Sequence, residues 1–191
     1  GLITNPAVVG IFGGAERIIR AGISMLQPLS QAFFPRVSHS AVKDLEEAGR
    51  LLWLSLVWIG GLSLIMGATS FLAAPILVNI LLGPGYESAV PILQALSVLV
   101  PIIGVGTVFG IQWALPWGFE LPFSGLVVLA GALNLVLAFL LVPRFGGMGM
   151  AGSVITAEAL VASGLIVLFH RKGGSLWPLR IAPTESEHEH V

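Results

Sequence analysis

Three charged side chains lie within a long apolar stretch near the start of the chain. The stretch runs from about residue 6 to residue 35 and contains Glu16, Arg17 and Arg20. A charge inside a membrane span is costly, so it usually faces protein or a water-filled cavity. Two guanidinium groups favour an anionic ligand, because arginine offers a rigid fork of donors to phosphate or carboxylate. These residues predict an anion-binding site within a membrane.

The polar residues of this stretch share one face of a helix. Measured from Glu16, Arg20 lies at about 40°, Gln27 at about 20° and Gln31 at about 60° around the helix axis. Such a stripe is the expected lining of a solvated path, and the glutamines would add neutral donors for sugar hydroxyls. The alternative is that Glu16 and Arg20, at positions i and i+4, only neutralise each other near the outer membrane surface. The two interpretations can coexist.

The last apolar stretch, about 148–169, contains Glu158 as its single charge. This carboxyl group could pair with an arginine or line the cavity. The alternative is that it lies near the interface or stays neutral in apolar surroundings. We therefore include it among the candidate substrate-binding residues. The other lone polar residues of the spans are Asn79, Gln94, Gln112 and Asn134. Such residues more often form hydrogen bonds between helices than contacts with a ligand.

Nothing in the sequence predicts catalysis, a metal site or a cofactor. The chain has no cysteine, and no Ser/His/Asp set or pair of catalytic carboxylates falls in one region. His188 and His190 flank Glu189 in the polar tail, where a metal site would lack a scaffold. We therefore expect a protein that is not an enzyme, without a bound metal or cofactor.

Composition indicates a polytopic membrane protein. Of 191 residues, 55% are hydrophobic and only 10% are charged, and the mean hydropathy is +0.94. A net charge of −1 provides no basic field for nucleic acid. Five stretches approach or exceed the roughly 20 apolar residues that a spanning helix needs. We expect an all-α bundle of about five transmembrane helices over residues 1–171, with spans near 6–35, 51–82, 88–117, 121–142 and 148–169.

The connections and the tail set the expected topology. Residues 36–50 are predicted to form a long polar loop whose end could be a helical turn, and 83–86, 117–120 and 143–147 are predicted turns. Most Lys and Arg residues fall in the 36–50 segment and in the tail, 172–191, so these should be cytoplasmic. The N-terminus and the 83–87 and 143–147 turns then face outward across the inner (plasma) membrane.

Three segments, in order along the chain, resemble the polysaccharide flippases within the superfamily of multidrug, oligosaccharidyl-lipid and polysaccharide exporters. The first has a Val-Gly-x-aromatic-x-x-Ala-x-basic run and a closing aromatic-Pro-basic-x-small run, carried by Val9, Gly10, Phe12, Ala15, Arg17, Phe34, Pro35, Arg36 and Ser38. The second is LLGPGYESAVPILQALS, with Gly83, Tyr86, Ala89 and Leu93. The third is VPRFGGMGMAGS, with Pro143, Gly146, Gly149 and Ala151. The resemblance extends to about residue 171.

The resemblance implies two helix bundles around a cationic central cavity, and the flipping of undecaprenyl-diphosphate-linked oligosaccharides to the outer leaflet for polysaccharide export. Arg17 and Arg20 match the expected cationic lining by type and by helix face. This chain resembles the C-terminal portion alone, so its expected partners are a missing N-terminal helix bundle, the lipid-linked glycan and the lipid bilayer. A glycan polymerase is a further candidate partner. The 117–120 hinge lacks the basic residues common in the family.

Other interpretations remain open at this point. A cation-coupled multidrug antiporter of the same superfamily would favour an acidic cavity, and Glu16 and Glu158 are compatible with one. A membrane-embedded glycan polymerase or acyltransferase would normally have large outward loops and an embedded His or Asp motif, and neither is present. A purely structural helix bundle is the remaining alternative.

Overall fold

The computed structural model describes the backbone of residues 6–176 and 179–180 and the side chains of residues 9–174. These residues are helical apart from turns and a short antiparallel pairing of Ser175–Leu176 (β1) with Leu179–Arg180 (β2). The predicted all-α membrane bundle is confirmed. Most of the predicted polar tail, 172–191, lies outside the described residues.

The first predicted span is interrupted within the bundle. It falls on α1 (Pro6–Ser24) and on the first part of α2 (Gln27–Lys43), which are separated by a turn at Met25 and Leu26. Pro28 lies in the first turn of α2, where its missing N–H is tolerated, but it cannot donate to the last carbonyls of α1. The polar face predicted for one continuous helix is therefore divided between two helices.

Asp44 separates α2 from α3 (Leu45–Ser55). Its Oδ1 accepts hydrogen bonds from the backbone N–H groups of Glu46 at 3.0 Å and Glu47 at 3.1 Å. These two glutamates also place negative charge in the first turn, where the helix dipole favours it. The long polar loop predicted at 36–50 is therefore wrong, because its residues form the ends of two helices. The helical turn predicted for its last part is confirmed.

Two π-helical segments interrupt the middle of the bundle. The first, Leu56–Gly60, joins α3 to α4 (Gly61–Leu72), and the second, Val108–Ala114, continues α7 (Leu99–Thr107). The other helices of this region are α5 (Ala74–Leu81) and α6 (Ala89–Ser97). Three helical stretches of the described residues are long and apolar enough to cross a membrane: Leu45–Leu72, Ala89–Ala114 and Glu120–Arg171.

The last stretch, α8 (Glu120–Arg171), is a hairpin of two helices. Gly146 has φ 56° and ψ −132°, which glycine alone adopts readily. A methyl group on Gly149 would lie 2.5 Å from the carbonyl oxygen of Leu141, and one on Gly164 would lie 2.8 Å from the Leu126 side chain. Residues so far apart in sequence could not touch in a straight helix rising 1.5 Å per residue. The halves 120–145 and 147–171 therefore run antiparallel.

Close helix packing holds the bundle around two apolar clusters. One contains Ala15, Leu93 and Leu96. The other contains Phe109, Trp113 and Phe169, and the Phe169 ring packs edge-on against the other two rings. Gly104 lies directly against Ser63 on the facing helix, where no side chain would fit. Small residues at such positions let helix backbones approach, which drives association where lipid removes the hydrophobic effect between helices.

Candidate functional site

A cavity of about 480 Å³ lies between α1, α7 with its π-helical extension, and both halves of α8. We call it the α1–α8 cavity. Its polar lining is Glu16, Arg20, Thr107, Asn134 and Glu158. The remaining lining residues are apolar: Ile102, Ile103, Gly106, Ile111, Phe123, Val127, Ala130, Gly131, Met150, Val154, Ala157, Val161 and Ala162. A cavity with an apolar wall and a few convergent polar groups is the usual form of a ligand site.

Glu16 and Arg20 form an ion pair in the cavity wall. Arg20 Nη2 lies 2.7 Å from Glu16 Oε1, and Arg20 Nε donates to the same oxygen at 2.8 Å. The pairing at i and i+4 follows from the helix period, as the neutralising interpretation of the sequence predicts. Both residues also line the cavity, so the two interpretations coexist. The Arg20 side chain is 71% exposed, which leaves other guanidinium N–H groups free to meet a ligand.

Glu158 enters the cavity from the second half of α8. It is half-buried, and the Arg20 guanidinium is close enough to interact with it electrostatically. Glu158 is twelve residues beyond Gly146, and Asn134 is twelve residues before it. In an antiparallel hairpin both lie about 18 Å from the Gly146 turn, close to the middle of a 30 Å hydrocarbon core if that turn is at the membrane surface.

Arg20 lies at a similar depth. Phe12 packs next to Gly147, since a methyl group there would lie 3.7 Å from Phe12 Cβ. Arg20 follows Phe12 by eight residues, which is about 12 Å further along α1. The guanidinium therefore lies deep enough to meet Glu158, well away from the Gly146 turn.

The other three predicted site residues do not line this cavity. Arg17 is exposed on a different face of α1, and Gln27 and Gln31 are exposed on α2 beyond the turn at Met25. The cavity thus brings together Glu16, Arg20 and Glu158 of the six candidates. Arg17, Gln27 and Gln31 stay predictions.

Asn134 is the cavity residue that the sequence analysis assigned to helix contacts. Its Oδ1 is buried and has no hydrogen-bond partner among the described residues. The signal that could have found it is its position, which mirrors Glu158 across the 143–147 turn. Gln112 behaves as predicted for a helix contact: it is fully buried, accepts from the Ser55 hydroxyl and donates to Ser30 Oγ at 3.5 Å.

The described part of the chain contains no cluster of three or more His, Cys, Asp or Glu side chains that could hold a metal ion. His188 and His190, considered for a metal site, lie outside the described residues. The chemistry available in the α1–α8 cavity is therefore that of charged and neutral hydrogen-bonding groups, with a guanidinium opposed to carboxylate and amide oxygens.

Comparison with known proteins gives two relatives. A protein of Escherichia coli (strain K12) named "Putative O-antigen transporter" is 38% identical over 174 residues, which is 90% of this chain and 41% of that protein. A protein of the same name from Shigella dysenteriae is 32% identical over 156 residues, 81% of this chain and 38% of that protein. The resemblance to the polysaccharide flippase family is confirmed.

Both relatives are longer than this chain, which spans about two fifths of their length. The matched part is a C-terminal portion, as the order of the three sequence motifs predicts. Both relatives are named as transporters and not as enzymes, and neither name favours a multidrug antiporter. No family model matches the chain, and no solved structure matches it.

Proposed function

We propose that this chain forms the C-terminal helix bundle of an inner-membrane transporter that flips an undecaprenyl-diphosphate-linked oligosaccharide during polysaccharide export. The proposal combines the transporter names of the two relatives with the chemistry of the α1–α8 cavity. A second, N-terminal bundle of the same transporter would complete the path, because this chain corresponds to two fifths of the relatives' length.

The observation that carries the proposal is Arg20 in the cavity wall. The guanidinium is the single cation among the lining residues, and it faces a chamber that is otherwise mostly apolar. A diphosphate offers several acceptor oxygens to its planar fork of donors, and such charge-assisted hydrogen bonds are about twice as strong as neutral ones. The apolar walls then provide room for the part of the substrate that is not charged.

Glu16 gives this site a second state. In the empty cavity its carboxylate occupies two donors of Arg20. An arriving diphosphate competes for these donors, so Arg20 exchanges a carboxylate partner for a phosphate partner. Such an exchange keeps the cation paired at membrane depth before and after binding, which avoids the cost of an isolated charge.

The topology is part of the proposal. Basic residues at the end of α2, at the start of α3 and after α8 favour a cytoplasmic location for these segments. The N-terminus and the Gly146 turn then lie outside. Three further residues are proposed to contact the substrate headgroup where it enters or leaves the cavity, namely Arg17 on α1 and Gln27 and Gln31 on α2. All three side chains are polar and exposed.

Glycan export in cells tests the role of Arg20. With protein level and membrane insertion unchanged, Arg20→Ala should reduce export about 10- to 100-fold, because a hydrogen bond to a charged group is worth about 1.5–3 kcal/mol. Arg20→Lys should be intermediate, since it keeps the charge but loses the fork. The matched control is Arg144→Ala, an exposed arginine outside the cavity, which should export normally. Normal export from an Arg17→Ala, Arg20→Ala double variant would contradict the proposal.

A further inference from the structure

Asn134 is a buried polar residue for which the fold provides no partner. Its Oδ1 is enclosed in the wall of the α1–α8 cavity and accepts no hydrogen bond from the described residues. An unpaired amide oxygen within a membrane is costly, because neither lipid nor apolar side chains can donate to it. Gln112 shows the contrast, since its oxygen accepts from Ser55. A helix contact therefore does not explain Asn134.

Asn134 and Glu158 together place hydrogen-bond acceptor groups in one wall of the cavity. Both lie twelve residues from Gly146 and both line the chamber. An amide oxygen accepts hydrogen bonds, and an ionised carboxylate can do nothing else. Arg20 on α1 is the complement, because a guanidinium only donates. The cavity thus has a donor side and an acceptor side at similar depth.

We propose that Asn134 binds the first sugar of the lipid-linked glycan through a hydroxyl or acetamido N–H group of that sugar. This inference rests on the proposed flippase function and assigns the sugar end of the substrate within the same cavity. Of the three parts of such a substrate, the lipid chain has no hydrogen-bond donors and an ionised diphosphate has only acceptors. The sugar alone carries donors, its hydroxyl and N–H groups, from which the Asn134 oxygen and the Glu158 carboxylate can accept hydrogen bonds.

The spacing of the two sides fits a sugar joined directly to a diphosphate. Arg20 lies about 12 Å along α1 from the level of Gly147, and Asn134 lies about 18 Å along its helix from the same turn. The two Cα positions differ in depth by about 6 Å and both side chains line one cavity, so a diphosphate held by Arg20 leaves the next sugar close to Asn134. The amide thereby distinguishes a loaded carrier lipid from the same lipid without its glycan.

Binding to the full-length transporter in nanodiscs tests this assignment with two probes. One is undecaprenyl diphosphate, and the other is the same lipid carrying one N-acetylhexosamine. Asn134→Leu is close in volume and suits a membrane helix, so folding should be maintained. It should weaken binding of the sugar-bearing probe about tenfold, the effect of one lost hydrogen bond left without compensation. Binding of undecaprenyl diphosphate should change less than about twofold, while Arg20→Ala should weaken both.

Two further variants keep the test specific. Gln94→Leu removes a half-buried amide of α6 outside the cavity and should leave both affinities unchanged. Asn134→Gln keeps the amide, so it should recover part of the preference for the sugar-bearing probe over undecaprenyl diphosphate that Asn134→Leu loses. An equal loss for both probes in Asn134→Leu, or no loss for either, would overturn the assignment while leaving the flippase proposal intact. A wild-type transporter that binds neither probe would instead overturn the proposed function, and the assignment of Asn134 with it.

Discussion

The guanidinium of Arg20 lies 2.7 Å from the Glu16 carboxylate, within the wall of a cavity that also contains Glu158. The formal charge of these three groups, all ionised, is −1. The cavity of this bundle is therefore less cationic than the family resemblance implies, and an anionic ligand competes with a carboxylate for its cation.

That competition predicts the effect of removing the Glu16 charge. Glu16→Gln retains a polar side chain of the same size but no longer holds Arg20 as an ion pair. Exposed pairs at i and i+4 on a helix are worth about 0.3–0.5 kcal/mol, so undecaprenyl diphosphate should bind about twofold more tightly. Titration of the full-length transporter with that lipid measures the change. A weaker affinity would mean that Glu16 supports the site and does not compete with the ligand.

A second prediction concerns the contact between Ser55 and Gln112. The two side chains join α3 to the second π-helical segment, and both are fully buried. Interhelical hydrogen bonds in membrane proteins contribute about 0.6 kcal/mol on average and up to about 1.7 kcal/mol. Ser55→Ala and Gln112→Leu should each lower the stability of the detergent-purified transporter. In a double-mutant cycle the two losses should fall short of additivity by that coupling energy, and strictly additive losses would argue against a direct bond.

The contrast between Gln112 and Asn134 shows where sequence reasoning ends. Both are amides in spans without charge, so local sequence assigns them the same role. Their partners differ because Ser55 lies 57 positions from Gln112 and meets it through helix packing. Hydropathy predicts that a helix spans the membrane, but it does not specify the rotation of that helix against its neighbours. The all-α class of the bundle could therefore be predicted, and the two roles could not.

The polar face of the first span illustrates the same limit in another way. A constant angle of 100° per residue places Gln27 and Gln31 beside Arg20 only if the helix is continuous. The turn at Met25 and Leu26 interrupts that continuity, and Pro28 makes the interruption favourable. Glu16 and Arg20 precede the turn, so their shared face is maintained. Arg17 is on the same helix but outside the cavity, and Glu158 reaches the cavity from α8, so the continuity of one helix does not define the site by itself.

A third prediction concerns topology, and the absence of cysteine from the chain makes it directly measurable. His39 is exposed near the end of α2, and Ser88 is exposed in the turn before α6. Cysteines introduced at these two positions should react with a membrane-impermeant maleimide from opposite sides, His39→Cys from the cytoplasm and Ser88→Cys from outside. Ser40 is a poorer choice than His39 because it is buried. Labelling of both cysteines in intact cells would contradict the proposed orientation.

The last prediction concerns the hairpin that brings Asn134 and Glu158 together, and two glycines of its second half provide a matched pair. A methyl group on Gly149 would lie 2.5 Å from the backbone oxygen of Leu141 and 3.0 Å from the backbone nitrogen of Val142, whereas one on Gly152 would meet nothing within 4 Å. Backbone atoms cannot move aside as a flexible side chain would. Gly149→Ala should therefore destabilise the transporter by about 1–3 kcal/mol and separate the two halves of α8.

Gly152→Ala is the control in the same helix, with the same change in composition. It should be neutral or stabilising by up to about 1 kcal/mol, because alanine favours helix more than glycine does. Thermal unfolding of the two purified variants measures the difference, and sugar-probe binding reports whether the cavity has widened. If Gly149→Ala weakens binding of the sugar-bearing probe while Gly152→Ala does not, the close approach of the two halves of α8 near Gly146 is what holds Asn134 and Glu158 in place. Equal stability of the two variants would show that the halves of α8 do not pack as closely as Gly149 requires.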